Sequence, residues 1–170
     1  MRIASLLLLL LSVSCSSLWT DYQEYEVEGL SMGVLWTVSQ QALEDTLGVP
    51  LDKAHTDRGM HKMETRWRTR AAAFRKGERR RGMIELVRSD TAKETVVIRY
   101  AIEQQIDKTI GSEFNPEESD WSAAGQDNKL EEHLRQRLSY GVARAQGKRV
   151  PHATRVQIED PMKVDRANRR

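Results

Sequence analysis

Residues 95–106, TVVIRYAIEQQI, alternate without a break: Val96, Ile98, Tyr100 and Ile102 fall on one face of an extended chain, and Val97, Arg99, Ala101 and Glu103 on the other. A period of two with one apolar and one polar face is the pattern of a strand in a sheet wetted on one side. Upstream, Arg79 to Arg88 repeats it with Gly82, Ile84 and Leu86. Met60 to Arg70 repeats it again, with Met63, Thr65 and Trp67 opposite Glu64, Arg66 and Arg68. Leu51 to Thr56 is long enough for a further short strand, and Asp57-Arg58-Gly59 is a turn sequence. The segments AAAFRKGE and SDTAKE are short enough to join neighbours, so the strands form an antiparallel meander of three to four members.

A half-wet sheet needs a cover, and the sequence supplies helices on both sides of the meander. From Ser31 to Leu47 the apolar residues Leu35, Val38, Ala42, Leu43 and Leu47 recur at helical spacing, with Ser31 as an N-cap and Gly48 and Pro50 as stop signals. This helix is expected to pack Trp36 and Leu43 over Trp67 and Ile98. A second helix is expected over 129–145, where Leu130, Leu134, Leu138 and Val142 step by four residues behind a cap at Asp127 or Asn128. The fold class is therefore α+β, an antiparallel meander covered by an amphipathic helix, with a C-terminal helix added. Residues 30–106 make the helix-on-sheet domain. Residues 107–128 have only Ile110, Phe114 and Trp121 to pin them and are expected as a long loop. Residues 146–170, low in apolar content and without a period, are expected as a disordered tail.

With 170 residues, 39% hydrophobic and 31% charged, the chain suits a single soluble core with polar ends. A net charge of +2 gives no global pull toward nucleic acid. The N-terminus is different in kind. Met1 and Arg2 precede the apolar run Ile3 to Val13, and small Ser12 and Ser14 lead to Cys15, the only cysteine. That is the order of a secretory signal peptide over residues 1–14. The run is about half of the roughly 20 residues that span a bilayer, so it is no anchor by itself. The string SVSC resembles the lipobox of bacterial lipoproteins, in which the cysteine thiol is acylated before cleavage. Serine stands at position 12, where leucine is usual. An ordinary signal peptidase could also use Ser12 and Ser14, but it would release a lone thiol into an oxidising compartment. Ser16 after the cysteine implies, by the same resemblance, an outer-membrane destination facing the periplasm. Residues 15–29 then read as a lipidated tether, with an extended piece around Tyr25 to Val27.

No catalytic constellation is legible. His55, His61, His133 and His152 fall on separate segments without metal-ligand spacing, and no nucleophile elbow, phosphate loop or dinucleotide fingerprint occurs. The chain is read as a non-enzyme without cofactor or metal. One charged cluster remains: Arg66, Arg68, Arg70, Arg75, Lys76, Arg79, Arg80 and Arg81. Arg66 and Arg68 are expected to pair across strands with Glu64, Glu85 or Glu103. Arg75, Lys76, Arg79, Arg80 and Arg81 are candidates for docking to an acidic partner or to anionic headgroups. Export and a single interleaved aromatic, Phe74, argue against nucleic acid.

The helix GVLWTVSQQALEDTLGV, the turn TDRG, the tryptophan-bearing strand METRW and two further strands, covering about residues 32–106 behind a lipobox, resemble the helix-grip domains of BamC-like outer-membrane lipoproteins. That resemblance implies a non-enzymatic docking domain, an accessory of the machinery that inserts β-barrel proteins. This chain has one such unit instead of two, and a more basic middle hairpin. Two functions of different class follow: a membrane-tethered docking or scaffold lipoprotein with an envelope protein partner, or a periplasmic domain gripping a small apolar ligand beside Trp36, Trp67 and Tyr100. A cavity between helix and sheet separates them.

Overall fold

The computed structural model describes residues 21–70, 77–89, 94–108 and 120–148. Among these residues the fold is α+β: an open antiparallel sheet of six strands with two helices on one face. In chain order the elements are β1 (Gln23–Glu28), α1 (Met32–Leu47), β2 (Lys62–Glu64), β3 (Arg68–Arg70), β4 (Glu78–Arg88), β5 (Thr95–Asp107), β6 (Trp121–Gln126) and α2 (Asn128–Ala145). The long strands β4 and β5 pair from Glu78↔Ile106 to Arg88↔Val96 and form the centre. β2 and β3 share the outer edge of β4, whereas β1 and β6 share that of β5.

The alternation in 95–106 has the expected consequence. Val96, Ile98, Tyr100 and Ile102 are buried with Ile84 and Leu86 beneath Leu35, Trp36, Leu43 and Leu47 of α1 and Leu130, Leu134, Leu138 and Val142 of α2. Each fully buried side chain of this size contributes about 1.5–3 kcal/mol. α1 lies so close to the sheet that a Cβ on Gly82 would stand 2.6 Å from Leu43 Cδ1 and 2.7 Å from Leu47 Cδ1. Ser31 caps α1 by accepting the Val34 N–H, and Gly48 closes it in the left-handed conformation at φ 66°.

Four segment expectations need correction. Residues 23–28 are not tether: the extended piece expected around Tyr25 to Val27 is part of β1, antiparallel to β5 from Gln23↔Tyr100 to Glu28↔Thr95. Within the expected loop 107–128, Trp121–Gln126 forms β6, and residues 109–119 lie outside the described residues. Leu51 to Thr56 is not a strand. Only Leu51 makes an isolated bridge, to Thr65. Met60 to Arg70 is split into β2 and β3 by a bulge, since three residues, 65–67, stand between Glu64 and Arg68 where β4 has only Gly82 and Arg81 between Met83 and Arg80. Of the tail, residues 149–170 lie outside the described residues.

β1 and β6 leave a gap on the β5 edge at Ile102, and the start of α2 fills it. The Asp127 N–H donates to the Ile102 carbonyl at 2.9 Å, and the Ile102 N–H donates to Glu131 Oε1 at 2.9 Å. Buried backbone groups need such partners, and here a helix provides what a strand would have.

Candidate docking face

With Gly82 turned toward α1, the odd-numbered residues of β4 point away from the helices, and so do their β5 neighbours Glu103 and Gln105. The bulge places Trp67 on this open face as well. Thr65 keeps the core side, exchanging bonds with Gly82 through its backbone N–H and its hydroxyl at 3.0 Å each. The extra residue then reverses the alternation, so Trp67 meets arginines and not the helix. Trp36 and Tyr100 stay in the core on the other side. The three aromatics therefore do not line one cavity.

A column of stacked groups results. The Arg79 Cζ lies 4.4 Å from the Trp67 ring centroid and 4.5 Å from that of Trp121, and the Arg81 Cζ lies 4.8 Å from Trp67. Trp121 reaches the column because β6 pairs it with Asp107 at the end of β5. Gln105 Oε1 accepts from Arg79 Nε at 2.8 Å and Nη2 at 2.6 Å. Burial between the rings pulls the Arg79 pKa below its ordinary value, Glu103 opposing. Arg81 is held on both sides, by Glu64 at 3.0 Å and Glu103 at 2.8 Å. The same face carries Lys62–Glu85 at 3.3 Å and Arg99–Glu24 at 2.9 Å. Tyr22 lies near Glu85 and Glu64, and its burial followed by their charge raises the phenol pKa.

The candidate residues therefore fare differently. Arg79 and Arg81 are in the column. Arg80 points to the helix side and ties down the α2 cap, its Nε 2.7 Å from Asp127 Oδ2, with Glu78 at 3.1 Å. Asp127 in turn accepts the Leu130 N–H. Cys15, Arg75 and Lys76 lie outside the described residues. Arg68 reaches the Leu47 carbonyl at the end of α1 instead of a carboxylate, and Arg66 is exposed. Sequence reading missed Trp67, Trp121 and Gln105 as partners of Arg79. Simple alternation assigned Trp67 to the core, and WSAAG carries too little strand propensity to mark β6.

A groove of about 660 Å³ runs between the helices, lined by residues that include Val38, Ala42, Asp45, Arg137, Gly141 and Arg144; no strand residue lines it. Among the described residues no three His, Cys, Asp or Glu side chains gather as metal ligands, and no helix is long and apolar enough to cross a membrane. No protein-family model matches the chain, and no curated protein matches it either.

Proposed function

We propose that this protein is a non-enzymatic lipoprotein of the bacterial cell envelope, exported, acylated at Cys15 and held at the outer membrane facing the periplasm, where its folded domain docks an envelope protein partner. The BamC-like resemblance suggests outer-membrane protein assembly as the setting. The observation that carries the reading is the string LLLLLLSVSCSS, which sets the only cysteine at the exit of a short signal-like apolar run. The domain supports it with a charged face bearing two tryptophans opposite the helices. Interfaces are enriched in such aromatic and arginine side chains.

Intact mass and fractionation of the wild type beside Cys15→Ala test the proposal. A mature N-terminus at Cys15 with added acyl mass, membrane-bound in the wild type and not in the variant, is expected. An unacylated, soluble wild-type protein overturns it.

A further inference from the structure

Arg79 differs from the other cations of the open face. Arg81, Lys62 and Arg99 each face a carboxylate. Arg79 has no carboxylate partner among the described residues; it gives two of its five N–H donors to the neutral Gln105 amide and keeps its charge between Trp67 and Trp121. Stacking fixes the guanidinium plane beforehand, so little rotamer freedom remains to be lost when a ligand arrives. We propose that Arg79 anchors a docking site for an acidic segment of a partner protein, whose carboxylate takes the unused N–H edge of the guanidinium. This rests on the docking role proposed above and names its site and the chemistry of its partner.

A carboxylate matches the flat fork of N–H groups that such an edge presents. Tryptophan and arginine packed together are also the composition of interface hot spots. An anionic membrane fits less well. Glu24, Glu64, Glu85 and Glu103 share the face with Lys62, Arg81 and Arg99, so apart from Arg79 these groups offer no excess of positive charge to a broad negative surface, whereas one aimed carboxylate needs only the fork.

The test measures binding of octaglutamate and octaglutamine peptides, and of phosphatidylglycerol vesicles, to the mature full-length protein by calorimetry at low salt. Octaglutamate is expected to bind at least about tenfold more tightly than octaglutamine. Arg79→Lys, which keeps the charge and loses the fork, is expected to weaken it about tenfold. Gln105→Glu supplies Arg79 with an internal carboxylate, at the loss of the bond from Gln105 Nε2 to Glu103 Oε1 at 2.8 Å, and is expected to weaken binding as much. Arg99→Lys, away from the column, leaves affinity within about twofold. Near-UV circular dichroism establishes that each variant is folded. Absence of octaglutamate binding, equal binding by wild type, Arg79→Lys and Gln105→Glu, or Arg79-dependent binding to vesicles alone overturns the inference. Cys15 acylation is read separately by mass, so Arg79-dependent binding in an unacylated protein would sink the lipoprotein reading and leave this one standing.

Discussion

The Glu131 carboxylate, from inside α2, accepts the Ile102 backbone N–H of β5 at 2.9 Å in the gap between two edge strands. Glu131 is only 4% exposed, and burial raises its pKa above the ordinary 4.5, the Ile102 bond opposing and the Asp127 charge adding to the rise. An acid with a raised native pKa binds more protons folded than unfolded, so its contribution to stability falls as pH rises from about 4.5 through the native value. Glu131→Gln keeps an acceptor and removes the charge. It should flatten that decline in urea titrations across pH 4 to 8, whereas Glu131→Ala should cost about 1–3 kcal/mol by orphaning the N–H.

The next residue has the opposite sign. Glu132 is pulled down to about 2 by its hydrogen bonds from Arg135 and Gln136. Its stabilisation is therefore present above the ordinary 4.5 and is lost as pH falls from there toward about 2. The pair is about half exposed, which limits the contribution to at most about 0.5 kcal/mol. Glu132→Gln should weaken the protein slightly at pH 7 and not at pH 2, measured by the same titration.

Gly82→Ala should destabilise by about 1–3 kcal/mol, since the new methyl falls on two fully buried leucine methyls. Leu47→Val in the same chain should recover part of that loss. Additive losses in thermal or urea unfolding would refute the contact.

Arg80 and Asp127 are predicted to act as a unit. Asp127→Ala removes the α2 cap and should cost about 0.5–2 kcal/mol. Arg80→Met strands the capping carboxylate at a site where its side chain is 14% exposed. A double-mutant cycle should return a coupling above about 0.5 kcal/mol. Zero coupling would leave Arg80 as an ordinary surface cation.

Much of the fold is legible because it rests on local periodicity. The β4 and β5 alternation, the Ser31 and Gly48 caps and the four-residue step of Leu130, Leu134, Leu138 and Val142 each encode a face directly. What escaped depends on contacts distant in sequence. Of β1 only the extended piece around Tyr25 to Val27 is legible; Glu24, Glu26 and Glu28 give it a polar look, and its pairing with β5 is not local. The bulge after Thr65 is set by the register of two strands against β4, and one slipped residue moves Trp67 across the sheet. Arg80 and Arg81 are adjacent in a run of like residues, yet the strand pleat sends them to opposite faces with different work. Composition alone cannot separate them.

β1 begins at Gln23, and this fixes a length. In the proposed acylated form the chain from Cys15 to Gln23 spans at most about 29 Å when fully extended. Under the proposed acylation of Cys15 the domain is moored within roughly its own diameter of the bilayer. On that proposal a partner meets the domain at the membrane surface, and lengthening the spacer ahead of Gln23 should extend that reach without touching the proposed docking face.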